Sequence, residues 1–403
     1  MGGQTVGQRL EFRRRRRGLS RKVVANLVGR SEEWLRLVES GQRKLDSLEV
    51  LARLAEVLQI DDVTELIDWP ARVIPHTNVE PHECLRELRE VIIDHPALRI
   101  RSNRPVDDYD QAVLTADLRT CRQVWTGSAQ RYSQLTRTLP DVIEAARSAR
   151  WQLQNLETAD QLVEAYHIAR HLLTACGDHS MAATVADRAM GTAAQVHQPL
   201  LIAASAWHVA TALLHSGHPV ESHDYALAAA CRLTETGLST PDSDIIDAAL
   251  RLLASHAAAV AGDLTESAGL LSEAKTRAVS FGADRTARGI PFGPSEVGIT
   301  TVEMALAQHD PDQAIRLAPA VPLFEGQSYE RRAAYHICQA RAYVLRREDA
   351  EATLALMKIA NVSPEDIRYD AEAHHCVQHL LRRDNYLTRT EVGYLAKLAG
   401  ISR

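Results

Sequence analysis

Aromatic residues are scarce in this chain of 403 residues, 5% in all with only four Phe, whereas Ala, Leu and Arg abound. That balance points to helices packed through small residues. No apolar run reaches the roughly 18 residues needed to span a bilayer, and the N-terminus lacks the apolar segment of a signal peptide, so a cytosolic protein is expected. Cys84, Cys121, Cys176, Cys231, Cys338 and Cys376 stand far apart with no C-x-x-C pair. Neither a zinc ribbon nor a disulfide framework fits that spacing, and buried reduced thiols are expected instead. No nucleophile elbow, P-loop or dinucleotide fingerprint occurs, and nothing fixes the many His and carboxylates into a catalytic geometry. An enzyme is therefore the least supported class, and no cofactor is expected.

What is present divides unevenly along the chain. At this length two or three domains are expected, and 45% hydrophobic with 24% charged residues is ordinary globular composition. Residues 1 to 60 hold 13 Lys or Arg against 7 Asp or Glu, a balance of +6, while the remainder holds 33 against 45, a balance of -12. A basic head on an acidic body suits a nucleic-acid-binding module whose body should not adhere to phosphate.

The stretch from Gly18 to Gly41 carries the strongest pattern. Ser20 is placed to cap a helix with Val24, Ala25 and Val28 on one face, and Gly29 supplies the left-handed residue that ends it. A second helix restarts at Ser31, carries Trp34, Leu35 and Val38 at helical spacing, and stops at Ser40 and Gly41. Two helices joined by so short a turn predict a helix-turn-helix, whose second helix is short enough to enter a major groove. Before it, Val6 to Arg17 reads as a first helix with Leu10 inward. After it, Leu48, Leu51, Leu54, Ala55 and Leu58 predict a fourth helix, and Val63, Leu66 and Ile67 a short fifth.

Arg9-Leu10, Gly18-Leu19-Ser20, Ala25, Gly29, Ser31 and Glu39-Ser40-Gly41 stand where the phage repressor and Cro (XRE) family of helix-turn-helix domains has its framework residues. The resemblance runs from about Gly7 to Leu66. It implies base reading by Ser31, Glu32, Glu33, Arg36 and Leu37. Glu32 and Glu33 depart from expectation: carboxylates repel phosphate, yet each can accept from the N4 amine of cytosine, while Leu37 can meet a thymine methyl. Phosphate contacts are expected from the run Arg13, Arg14, Arg15, Arg16 and Arg17, and from Arg21, Lys22, Arg30, Arg43 and Lys44. Such a run is too dense for one helix face, so part of it must be solvated. A degenerate head that serves only as a docking module is the alternative.

Three regions are expected: residues 1-72 as the DNA-binding head, 73-108 as a connector containing one helix from about Pro81 to Asp94, and 109-403 as helical repeats. In the last, turns at Gly177-Asp178, Gly217-His218, Gly262-Asp263, Asp310-Pro311 and Glu348-Asp349 fall 38 to 48 residues apart, in the range of helical hairpins. Alanine recurs where paired helices must approach closely, at Ala183, Ala186, Ala189, Ala226, Ala229, Ala230 and Ala268. The fold class expected is therefore all-α, a helix-turn-helix head followed by an α-solenoid with a concave surface.

The body resembles tetratricopeptide-like repeats. Taken whole, with Trp125 through Arg131-Tyr132 to Leu139-Pro140, Cys176-Gly177-Asp178 followed by Ala186-Asp187-Arg188-Ala189, and Phe292-Gly293-Pro294-Ser295, the chain is similar to actinobacterial regulators that join such a head to such a body. The resemblance implies transcriptional control, with the body sensing a ligand or holding a dimer. One recognition helix reads only a few base pairs, so a homodimer on a palindromic operator of double-stranded DNA is expected, the two heads about 34 Å apart. A peptide or a small molecule is the expected effector. A protein-interaction adaptor is the rival reading.

Gly289 to Glu296 breaks the helical rhythm: a rigid loop lining a pocket through Phe292, or a plain connection in which Ser295 caps the next helix. Arg170, Trp207, His208 and Tyr225 are candidates for the same groove. His375 and His379 on one helix, beside His374 and Cys376, and His167 with His171 could each share a metal, but three or four converging ligands are needed, so packing histidines are expected and no metal.

Overall fold

The structure is a computed structural model describing residues 10, 11, 14, 15, 17–43, 50, 53, 54, 57, 58, 83–94, 110–323 and 326–401. The chain divides into two compact units, Met1–Pro75 and His76–Arg403.

In the first unit Ser20 caps α1 (Arg21–Val28), its hydroxyl accepting from the Val23 amide at 3.2 Å. Gly29 ends the helix at φ 71°, where its own amide reaches the Asn26 carbonyl and the Arg30 amide reaches Ala25. A left-handed residue at that point is what lets two orphan carbonyls be satisfied at once. Ser31 then caps α2 (Glu32–Glu39) through the Trp34 amide at 3.1 Å. Val24, Ala25, Val28, Leu35 and Val38 bury against Leu10, Val50, Leu54 and Leu58. Of the positions expected in the fourth and fifth helices, Leu48, Leu51, Ala55, Val63, Leu66 and Ile67 lie outside the described residues.

The second unit is a succession of helical hairpins. It begins with α3 (Arg86–Ile93), then pairs α4 (Gln111–Gly127) with α5 (Arg131–Leu153), α6 (Leu156–Ala175) with α7 (His179–Val196), α8 (Pro199–His215) with α9 (Pro219–Glu235), and α10 (Pro241–Ala261) with α11 (Leu264–Phe281). After a hairpin of strands β1 (Arg285–Ala287) and β2 (Ile290–Phe292) come α12 (Pro294–Ala307) with α13 (Pro311–Leu317), α14 (Tyr329–Arg346) with α15 (Asp349–Val362), the short α16 (Pro364–Tyr369), and α17 (Ala371–Arg383) with α18 (Arg389–Ala399).

One turn recurs at each expected position. The amides of Asp178, His218, Asp263, Asp310 and Glu348 each bond the carbonyl five residues back, at 2.8 to 3.0 Å. Asp178, Asp263 and Asp310 then cap the following helix with their carboxylates. Closing one helix and opening the next takes only these few residues, which sets the hairpin period.

Two features depart from expectation. The helix placed in a connector belongs to the body: Leu85, Leu88 and Ile92 are buried in its first core cluster, and Arg147 and Arg188 donate to the carbonyls of Val91 and Ile92. The stack also meets itself. Arg131 at the start of α5 pairs with Asp366 of α16 at 2.5 Å, with side chains 3% and 0% exposed, and the Tyr132 hydroxyl donates to the same carboxylate at 3.0 Å. Glu365 accepts from the amides of Tyr132 and Ser133, so a residue far along the chain caps α5.

Candidate functional site

The exposed side of α2 is the opposite of its packed side. With Leu35, Val38 and Glu39 buried, Glu32, Glu33 and Arg36 are exposed and Leu37 is half-buried, so helical spacing brings these four onto one surface, while Ser31 is exposed at the cap. Glu33 and Arg36 form a bidentate pair at 2.6 and 2.8 Å. That hydrogen-bonded guanidinium holds the Glu33 carboxyl below the usual carboxylate range. For Arg36 to read a guanine edge it must leave Glu33. The Ser31 hydroxyl oxygen is committed to the cap, leaving its proton free to donate.

The arginine run divides. Arg14 is buried, its Nε and Nη2 donating to Glu39 at 2.6 and 3.1 Å and its Nη1 to the Leu19 carbonyl at 3.0 Å. It holds the first helical segment to the buried end of α2, and its expected role at phosphate is corrected: a guanidinium buried and ion-paired inside the core is not presented to DNA. Arg21 is half-buried, pairs with Glu39 at 2.6 Å and reaches Glu11 at 3.3 Å. Arg15, Arg17, Lys22, Arg30 and Arg43 are exposed. Arg15 pairs with Glu11, Arg17 donates to the Val57 carbonyl, and Arg30 lies 5.9 Å from the Trp34 ring centroid. Lys22 and Arg43 have no ion-pair partner among the described residues. Arg13, Arg16 and Lys44 lie outside them.

Residues 5–66 match the family of helix-turn-helix domains. The head is a helix-turn-helix domain. No curated protein matches the chain. Among solved structures, the crystal structure of Bacillus thuringiensis PlcR in complex with the peptide PapR7 and DNA superposes with a TM-score of 0.32 at 11% identity, covering 79% of this chain and 93% of that one. So loose a superposition transfers neither residues nor ligands.

Within the helix-turn-helix domain, the residue that pattern reading missed as an ion-pair partner is Glu39. It falls four residues after Leu35 on the inward face, a position where an unpaired carboxylate would be costly, and that was the available signal.

In the body, three of the five expected groove residues come together. Arg170 of α6 donates from Nε to His208 Nδ1 of α8 at 2.9 Å, and its guanidinium lies 5.1 Å from the Trp207 ring centroid. His167 stacks on His208 with centroids 3.8 Å apart. Tyr225 lies on α9, half-buried at the edge of the same core cluster that Trp207 packs against, with no contact to Arg170 or His208 shown. Phe292 lines no groove: it is fully buried against Phe281, because the segment expected as a loop pairs as β2 with β1 across Arg288 and Gly289, both at positive φ. A two-residue turn of that type suits a hairpin. The expectation that Ser295 caps the next helix is also corrected. Gly293 stands at the cap, where an added Cβ would meet the Asp284 backbone at 2.6 Å, and the Asp284 carboxylate accepts from the Ser295 amide. Two cavities of about 10 Å³, each room for a water, lie in the body, one lined by Leu380, Asp384 and Val392 and the other by Tyr329, His336 and Lys358.

His375 and His379 lie 3.1 Å apart through their Nε2 atoms, and among the described residues no group of three side chains is arranged to hold a metal.

Burial holds His167, His171, His208 and His256 below the ordinary histidine value and brings His215 down to about 3. The unfolded chain therefore binds these protons first, and the stability they protect is complete above a pH of about 6.5 and is lost below it. Glu296 and Asp370, pushed up to about 7 by burial, act oppositely and favour the folded state as pH falls through 7. Burial also lowers His336 and His374 and raises Asp160, Glu164 and Asp366, so seven histidines stand against five carboxyls and outnumber them. The melting temperature is expected to fall between pH 6.5 and 5; a rise over that interval in a thermal-unfolding series would show that the carboxyls dominate.

Proposed function

We propose that this protein is a sequence-specific DNA-binding transcription regulator of the phage-repressor (XRE) type, of the actinobacterial kind that joins such a head to a helical body. In this reading it works in the cytoplasm as a homodimer on a palindromic operator. The observation that carries the reading is the exposed face of α2, whose polar side chains stand on a helix locked at both ends and at its buried Glu39, with Lys22 and Arg43 exposed nearby in sequence. Base edges are read by side chains on such a helix, while exposed cations hold the phosphates. The body senses an effector, a peptide or a small molecule, and shifts the two heads between arrangements for which its affinities differ.

The deciding experiment is selection from fragments of the protein's own genome, using the intact chain and a chain beginning at residue 76. Enrichment of a palindromic site by the intact chain alone is expected. A second reading, an adaptor whose head docks on protein, is favoured by the two carboxylates at the start of α2; it gains if no fragment is enriched at low salt and a partner is captured on the body.

On the enriched site, Lys22→Ala and Arg43→Ala are each expected to flatten the slope of log affinity against log salt by about 0.9. An unchanged slope would remove that residue from the phosphate contacts. Glu32→Gln is expected to change the base preferred opposite it, and an unaltered selected site would mean that Glu32 reads no base.

A further inference from the structure

Arg170 is buried without a counter-ion. The residue is 3% exposed, its guanidinium donates to His208 and lies against His171, and no carboxylate among the described residues comes within ion-pair distance. A buried cation is ordinarily paired, because removing it from water costs more than neutral hydrogen bonds return. The acidic group whose field it feels is Glu330, whose carboxylate lies 4.0 Å from His171 Nδ1. Burial has brought the guanidinium down to about 9.

A second orphan lies beside it. Because His208 Nδ1 accepts from Arg170, the ring's proton belongs on Nε2, and that nitrogen is buried with no hydrogen-bond partner. The walls are aromatic. His171 lies between Trp125 and Trp207, at centroid distances of 5.7 and 6.0 Å, and His171 and Trp207 are the partly exposed members through which the cluster meets solvent. The arrangement follows from the repeat: a 38-residue offset carries His167 onto Ser205 and Arg170 onto His208.

We propose that Arg170, His208 and Trp207 form the recognition point for a carboxylate attached to an apolar body, either a small organic acid or the C-terminus of a peptide. One guanidinium and neutral imidazoles balance a single negative charge; a phosphate dianion would leave one charge uncompensated in a buried site. The indoles suit an apolar or aromatic body. This inference rests on the sensing role proposed for the body.

The test uses the full chain, with tryptophan fluorescence and thermal unfolding as readouts. Probes are phenylacetate against phenylacetamide, and the tripeptide Ala-Ala-Phe against its C-terminal amide. At least one acid is expected to shift fluorescence and raise the melting temperature while its amide does not, and whichever acid acts identifies the source. Arg170→Gln is expected to weaken that acid at least tenfold, as loss of a charged hydrogen-bond partner does. Arg170→Met, which removes an uncompensated buried charge, is expected to melt at or above the wild-type temperature without ligand.

Neither acid acting, acid and amide acting alike, Arg170→Gln binding as tightly as wild type, or Arg170→Met melting lower would each overturn the proposal. DNA binding of Arg170→Gln is measured separately. A failed operator search with intact acid binding would then count against the regulator, and normal operator binding without acid binding against this site.

Discussion

Arg14→Ala is expected to unfold the helix-turn-helix domain and leave the body folded. Arg14 and Glu39 have side chains 9% and 2% exposed and meet at 2.6 Å, so the substitution leaves a carboxylate buried with only Arg21 to hold it. Removing one partner of a buried pair costs about 3–5 kcal/mol. A core of this size rarely supplies more than about 3–5 kcal/mol in total, so the loss consumes the stability of the domain. Hydrogen exchange of the amides from Val24 to Val38 should show protection collapsing, with α10 and α11 unchanged. The double substitution Arg14→Met with Glu39→Leu should restore protection, since well-packed apolar residues replace such a pair at little cost, and Arg21, about a third exposed, returns to water. If Arg14→Ala keeps native protection yet flattens the salt dependence of DNA binding, Arg14 is a phosphate contact after all.

That inward turn of Arg14 was legible. Leu10 faces the core, and the residue four positions on shares its face. Dense charge in the run predicts an outward face, and only the matching carboxylate on α2, from a distant part of the chain, turns Arg14 inward. Caps and turns were read well because they are local: Ser20, Gly29 and Ser31 act within a few residues of themselves, as do the Gly-Asp corners of the body. The strand pairing of Ile290–Phe292 was hidden because a tripeptide with a central proline carries almost no periodicity. What paired it was the Arg288-Gly289 corner, and Arg288 is also pinned by Asp160 at 2.6 Å, 128 residues away. Arg170, Trp207 and His208 were singled out as residue types, but their meeting depends on the 38-residue offset between α6 and α8, which loosely repeating turns do not fix.

Asp366→Ala should loosen the body where its last helices meet its first, a consequence that no nearest-neighbour account of a helical stack contains. Asp366 is fully buried, holds Arg131 and accepts from Tyr132, while burial raises its own carboxyl and Arg131 opposes the rise. Truncating it strands a guanidinium at the start of α5, at a cost of about 3–5 kcal/mol. In a unit of this size each kcal/mol lowers the melting temperature by roughly 2 °C, so a fall of about 6–10 °C is expected. The position of the loss is the sharper test. Glu365 caps α5 only while α16 stays seated, so the Tyr132 and Ser133 amides should exchange faster in Asp366→Ala while the amides of α10 keep their protection. Glu365→Ala, which removes the cap but leaves the ion pair, should expose the same two amides at a cost nearer 1 kcal/mol. If Asp366→Ala leaves both the melting temperature and these two amides unchanged, the hairpins are held by their neighbours alone, and the contact between the ends of the stack contributes nothing to stability.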